Sequence, residues 1–413
     1  MTTSLLIKNA RALTLAGAGA RRRAELSNLA IIPRADVLIE NGLIKSVSPS
    51  PHTPIPLSPS PTTIDAAGRV LMPAFVDCHS HACWAGDRLD EWQMKLRGVP
   101  YLDILKAGGG IMSTVRAVRA APESQLLELL RGRLASMLRV GSATVEVKSG
   151  YGLSTEHELK MLRVIHAAAA ETERTTGQTV IATALLGHAI DPEIPNFVEK
   201  VISETLPAVH AEFPNIAIDA FCESGAWSLA DTVRLFEKAR SLGHPIRVHA
   251  DQFNSLGMTR EAVRLGATSV DHLEASTEAD LDILAASSTF GVILPACGFH
   301  VDGRYARVRR LIDNGGRLAL ATNFNPGSAP TPSMPMAMAL AVRHCGLTSA
   351  EAITCATANP ASLLGLSDRG QIAPGQRADL ILLRATDQRA LVYEFGGDPI
   401  EALFIAGQPQ SRI

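Results

Sequence analysis

Val70-Leu71-Met72-Pro73-Ala74-Phe75-Val76-Asp77-Cys78-His79-Ser80-His81 runs from an unbroken apolar stretch into a group of polar residues. The apolar run predicts a strand over 70–77, buried on both faces. Side chains two apart on extended chain share a face, so His79 and His81 can point at one ion. Neutral imidazole suits zinc or iron. A lone His-x-His pair is more often structural or exposed. Its weight here comes from residues that recur further along.

Short apolar runs at 143–149, 180–187, 217–222, 245–249, 267–271, 290–294 and 317–322 alternate with stretches carrying Leu and Ala at helical spacing, such as Ser124–Val140 and Ser228–Leu242. Eight strand–helix alternations predict the α/β class and a parallel (β/α)8 TIM barrel. The rival is a doubly wound open sheet, but the Gly-x-Gly-x-x-Gly turn that would favour it is absent after the first central strand.

Polar residues close most of these runs: Glu146 to Gly152 on the second, His188 on the third, Cys222-Glu223 on the fourth, and His249-Ala250-Asp251-Gln252 on the fifth. Asp271-His272 ends the sixth and Thr322-Asn323-Phe324-Asn325-Pro326-Gly327 the eighth. In a barrel these ends open into one bowl, where active sites are built. His249 and His272 at later strand ends turn His79-x-His81 into a candidate metal centre with an open position for water. Arg88 and Tyr151 are the candidates for gripping a carboxylate, the arginine through its planar fork. His188 could equally be a satisfied core histidine. Lys148 could be structural, paired with Glu146 or Glu223. Gly108-Gly109-Gly110 could cradle an anion through backbone N–H groups, although flexibility is the plainer role.

The flanks read differently. Residues 1–66 carry short apolar runs broken by turns such as Asn41-Gly42, and 366–413 continue that style with Ala378–Leu383 after Pro374-Gly375. Together they predict one small β-sandwich beside a barrel over 67–365. The Pro/Ser-rich stretch from Ser48 to Thr63 reads as a loop. With 413 residues and 46% hydrophobic composition there is material for a large core. A net charge of −2 gives no reason to expect nucleic acid or a membrane as partner. Arg21-Arg22-Arg23 reads as a solvated loop. Six cysteines without a CxxC pair, no apolar stretch of membrane-spanning length and no signal-peptide pattern point to reduced thiols and the cytoplasm.

With these motifs in order, the chain resembles the amidohydrolase superfamily and, within it, the imidazolonepropionase family. The resemblance is carried by Pro73–His81, Gly108–Arg116, Val145–Leu153, Val248–Gln252, Asp271–Leu273, Phe324–Gly327 and Gly375–Leu380. It implies one divalent metal, zinc or iron, and a homodimer. It also implies hydrolysis of 4-imidazolone-5-propanoate to N-formimino-L-glutamate, a step of histidine degradation. Carried over, His79, His81, His249 and the residue at 323 are the metal ligands. His272 sits beside the attacking water, while Arg88, Tyr151 and His188, with Asn325 and Gly327, hold a substrate that bears a carboxylate.

Two positions depart from that pattern. The fourth ligand is normally aspartate, and this chain has Asn323. Its amide oxygen can coordinate but cannot accept a proton. Some relatives place glutamate where Gln252 stands. Asp251 and His272 remain as proton acceptors, with His272 preferred because imidazole titrates near neutrality. Open alternatives are a heterocycle deaminase, a cyclic-imide hydrolase, a two-metal centre bridged by carboxylated Lys148, and a weakly active or inactive binding homologue marked by Asn323.

Overall fold

The computed structural model describes residues 4–17, 19–50, 61–99, 103 and 108–411. Two sheets organise it. In the first, β1 (Ser4–Leu13), β2 (Ile31–Glu40), β3 (Leu43–Pro49), β4 (Thr62–Asp65) and β5 (Val70–Pro73) join strands from the other end of the chain. The second is the barrel: β6 (Phe75–Asp77), β7 (Ser142–Lys148), β8 (Thr179–Gly187), β9 (Ala217–Cys222), β10 (Ile246–Ala250), β11 (Ser269–His272), β12 (Phe290–Ile293) and β13 (Arg317–Leu320), paired in parallel in chain order. Helices fill the crossovers. The stretch expected from Ser124 is helical over Glu123–Arg139, and Ser228 caps Leu229–Ser241 by accepting the Asp231 N–H at 3.1 Å.

The run expected as a single strand over 70–77 is two. Residues 70–73 pair with β1 and with β14 (Leu380–Leu383) in the terminal sheet, and the barrel begins only at Phe75. Pro73 has no N–H to extend a ladder. At the next residue the backbone changes partner, Ala74 N–H donating to Asp379 and Phe75 N–H to Gly141.

The terminal sheet is completed by β15 (Ile400–Ile405) and β16 (Gln408–Pro409), and it rolls on itself rather than splitting into two separate sheets. Ile44 N–H donates to Gln376 and Ala378 N–H to Gly42, bringing the β3 edge onto the lead-in to β14 around Ile7, Val37, Ile39, Leu71, Leu380 and Phe404. Asn41 (φ 52°) and Gly42 (φ 83°) make the two-residue hairpin turn that their sequence announces. Of the stretch read as a loop from Ser48, residues 51–60 lie outside the described residues, while β3 and β4 claim its two ends. Arg21 is not solvated: it is buried, with its guanidinium donating to the carbonyls of Leu15 and Gly19.

The barrel closes at its C-terminal mouth. Ser80 bridges Phe324, His81 N–H donates to the Phe324 carbonyl at 3.0 Å, and Asn323 N–H donates to the His79 carbonyl at 3.0 Å. One step deeper, buried Asp77 accepts from Thr322 Oγ1 at 2.5 Å and from Thr322 N–H at 3.2 Å. Burial pushes the Asp77 carboxyl up to about 7, against the pull of these bonds. Thr322→Val keeps the shape but strips a donor from this buried carboxyl. It is expected to cost ~1–3 kcal/mol, read as a lower urea midpoint at unchanged slope.

Candidate active site

The walls of the bowl follow from strand register. Parallel pairing sets His249 opposite Asp271 on one side and Phe221 on the other, and Arg247 opposite both Asp219 and Ser269. Charged side chains from four strands therefore meet inside the barrel. Lys148 Nζ lies 2.7 Å from Glu146 and 2.9 Å from Asp219, while Arg247 reaches Asp271 at 2.8 Å and Glu146 at 3.3 Å. All five are buried. Burial and Arg247 pull the Lys148 pKa down, but Asp219, Glu146 and Asp271 raise it further, so it stays an ammonium. It is the structural lysine, with Asp219 in place of the expected Glu223 as second partner. No free amine remains to be carboxylated, which removes the support for a bridged two-metal centre.

On this floor stand three buried imidazoles. His79, His81 and His249 place one ring nitrogen each within 4.8 Å of the others, with the Nε2 of His81 3.3 Å from the Nε2 of both His79 and His249. The outer nitrogens of two rings are tied down: His79 Nδ1 to Asp271 at 2.6 Å and His249 Nδ1 to Asp219 at 3.1 Å. A carboxylate on Nδ1 holds the proton there and leaves Nε2 as a lone pair. Burial, then repulsion from Lys148, His249 and His81, drives the His79 pKa well down. Burial with His188 and His249 does the same for His81. Burial also lowers His249, against the opposing pull of Asp219.

These neutral nitrogens face one point without protons to share, which suits a divalent cation. Two further features fit. Asn323 Oδ1 is buried without a hydrogen-bond partner among the described residues. The floor beneath carries three carboxylates (Glu146, Asp219, Asp271) against two cations (Lys148, Arg247), one net negative charge.

Tyr151 and His188 flank this cluster. The His188 ring stacks on His81 at 5.1 Å and lies 5.0 Å from Tyr151. Burial and the neighbouring His249 lower the His188 pKa to about 3, so its Nδ1–H donates to the Gly150 carbonyl at 2.9 Å as a neutral ring. Burial pushes the Tyr151 phenol up, so it too is neutral. Both glycines around Tyr151 are forced. A Cβ on Gly150 would meet His188 Nδ1 at 2.9 Å, and one on Gly152 would meet the backbone of Glu158 at 2.5 Å. The Glu158 carboxylate gathers the N–H groups of Gly150, Gly152 and Leu153 and so fixes the loop.

Arg88 lies beside Gly327, on the loop after β13, with its fork partly spent. Nε and Nη2 are on Glu91, and Nη1 is 3.4 Å from Thr114. A Cβ on Gly327 would come within 3.3 Å of Nη1, so glycine there keeps that edge open. The Asn325 side chain turns back on its own loop, with Nδ2 on the Asn323 carbonyl at 2.6 Å and Oδ1 accepting from Gly327 and Ser328. Of the Gly108–Gly110 run, Gly110 N–H donates to an internal anion, the Glu91 carboxylate, at 2.9 Å.

His272 lies beside the cluster, 5.7 Å from His249 and 6.2 Å from His79 between ring centres, on strained backbone (φ 96°). Its Nδ1 is 3.3 Å from the Glu274 carboxylate. Asp251 Oδ2 accepts from Thr259 and Ser276 while its buried Oδ1 has no hydrogen-bond partner among the described residues, and Gln252 donates to Cys297 Sγ at 3.2 Å. Glu274 escaped the sequence reading, as did Asp219, Arg247 and Asp271 as a network. The signal was present as charged residues inside apolar strands and a His-x-Glu step at 272–274.

Residues 70–409 match the amidohydrolase family, and the chain belongs to that family. Its likeness to one group within it runs almost end to end. It is 43% identical to the imidazolonepropionase of Deinococcus radiodurans, covering 94% of this chain and 95% of that one. It is 41% identical to the imidazolonepropionase of Herpetosiphon aurantiacus, covering 98% and 97%. Among solved structures, an adenosine deaminase from Xanthomonas campestris with bound zinc superposes at a TM-score of 0.69, covering 98% of this chain and 92% of that one. At 19% identity it shares the fold alone.

Asp219→Asn leaves Lys148 one partner and releases the His249 ring. It is expected to weaken divalent-metal affinity by ~10–100-fold, measured by competition with a chromogenic chelator.

Proposed function

We propose that the chain hydrolyses the ring C–N bond of 4-imidazolone-5-propanoate to N-formimino-L-glutamate, a step of histidine degradation. The observation that carries this is the convergence of three neutral imidazole nitrogens beside Tyr151 and His188. The imidazolonepropionases that match the chain end to end support the choice of ring.

His79, His81, His249 and Asn323 would hold one ion, zinc or iron, which supplies Lewis-acid polarisation of a carbonyl and a lowered pKa for water. The open edge of Arg88 receives the propanoate, and Tyr151 and His188 bracket the ring. His272 takes the proton of the water as it adds to the ring carbonyl carbon, and returns it to the ring nitrogen as the C–N bond breaks. Glu274 holds the Nδ1–H of that histidine, so Nε2 stays the basic atom. Asp251 supports the loop through Ser276 rather than taking part. Among the described residues no helix is long and apolar enough to cross a membrane, and the six cysteines are free. Both accord with a cytoplasmic enzyme, proposed as a homodimer.

The test is to follow the ultraviolet absorbance of the imidazolone on addition of metal-loaded protein. A formimino product supports the reading. Release of ammonia points to a deaminase, and tight binding without turnover to a non-catalytic homologue. His272→Phe is expected to lower kcat by at least ~10²-fold, the usual size of an acid–base contribution. A change below about threefold would reassign the proton acceptor. Asn323→Asp restores an anionic ligand and is expected to tighten metal binding and raise turnover. No gain in either would clear this amide of limiting the reaction.

A further inference from the structure

We propose a second, inhibitory cation site beside the first, formed by His272, Glu274 and Cys297. The inhibitory part rests on the reading of His272 as proton acceptor; the binding part does not.

The three side chains come from the end of β11, the loop after it, and the helix Pro295–Val301, and they place one ligand atom each within 4.8 Å of the others. Imidazole nitrogen, carboxylate oxygen and cysteine sulfur form a zinc-type donor set, distinct from the all-imidazole cluster next to it. Ligands at ~2.0–2.3 Å from zinc stand ~3.5 Å apart; His272 Nδ1 and Glu274 already meet this at 3.3 Å, and the cysteine sulfur has at most about 1 Å to close. His272 and Cys297 are buried, and the Glu274 side chain is 5% exposed. Glu274 Oε2 makes no hydrogen bond among the described residues. A cavity of about 10 Å³ opens against Glu274 and Cys297, lined also by Gln252, Phe253, Asp302 and Arg304. That is room for one water, on the side of Glu274 and Cys297 away from His272, through which an ion can reach those two donors. Arg304 is the cation on this wall, and its charge is turned to Asp302 at 2.6 Å.

The consequence for chemistry follows from the tautomer. Without an ion, His272 Nδ1 stands 3.3 Å from Glu274, and the tautomer that gives Nδ1–H to that carboxylate keeps the lone pair on Nε2. An ion on Nδ1, Glu274 and Cys297 takes the Nδ1 lone pair, moves the ring proton to Nε2 and displaces the thiol proton to solvent. An imidazole protonated at Nε2 cannot accept a proton there. The same three residues that orient the base would thus silence it when a thiophilic ion is in excess.

Cobalt(II) titrated into the metal-free protein tests this. Two equivalents should bind, the second bringing a thiolate-to-cobalt charge-transfer absorbance in the near ultraviolet. Zinc in excess of one equivalent should abolish turnover of the imidazolone. Cys297→Ala should remove the thiolate band and weaken zinc inhibition by at least tenfold, leaving turnover at one equivalent unchanged. Cys297→Ser serves as a second variant should the alanine protein misfold. A single equivalent, or a second without the thiolate band, overturns the site. A thiolate band with turnover unaffected overturns the inhibition and excludes His272 as the base. A thiolate band in a protein that never turns over the imidazolone leaves the site standing and fails the functional reading instead.

Discussion

Everything in the bowl depends on two buried contacts, His79 Nδ1 to Asp271 at 2.6 Å and His249 Nδ1 to Asp219 at 3.1 Å. Each decides where one proton resides, and so where one lone pair points. The two carboxylates are in turn held by Arg247 and Lys148, which share Glu146 between them. The charges alternate along Asp271–Arg247–Glu146–Lys148–Asp219, with no member left single. That alternation lets five charges remain in a barrel core, because removing one partner from a buried pair typically costs ~3–5 kcal/mol.

The same economy of position governs closure of the barrel. β6 and β13 do not meet along a full ladder; they are joined by backbone bonds at His79, Ser80 and His81 with Asn323 and Phe324. The residues that shut the sheet are the ones that present the imidazoles and the amide. Asn323 is held at positive φ (56°), a conformation asparagine tolerates, while its N–H is committed to His79. Fold and site therefore cannot be loosened separately at this seam.

Much of this was legible from residue order. Strand runs after the first end within about two residues of where the apolar stretches stop, because burial on both faces leaves little freedom in where a barrel strand lies. The polar strand ends share a phase that only a closed parallel sheet explains. Two features were not legible. Pro73 divides one apolar run between two sheets, and nothing in the run itself says that its halves have different partners. The floor network depends on register between strands far apart in the chain: Asp219 gains meaning only when Lys148 and His249 stand beside it. Glu274 was hidden for the same reason, since a glutamate after a strand is ordinarily solvated.

The neutral amides at 323 and 252 sharpen what the network must supply. An aspartate at 323 would bring both negative charge and a proton acceptor to the ion. In this chain the charge is already beneath the imidazoles, where the floor's excess carboxylate acts through His79 and His249. Charge can be transmitted in that way, because a ring whose Nδ1–H leans on a carboxylate is a better donor at Nε2. Basicity toward water cannot be transmitted so, since an amide oxygen takes no proton at any charge of its surroundings. On the proposed mechanism, attraction for a cation and acceptance of a proton, which one aspartate can combine, are divided between the floor and the pair His272–Glu274. The proton there goes to His272, whose ring lies 5.7 Å from that of His249 on a backbone that holds positive φ at both His272 (96°) and Leu273 (75°), a strain of the kind found at functional sites.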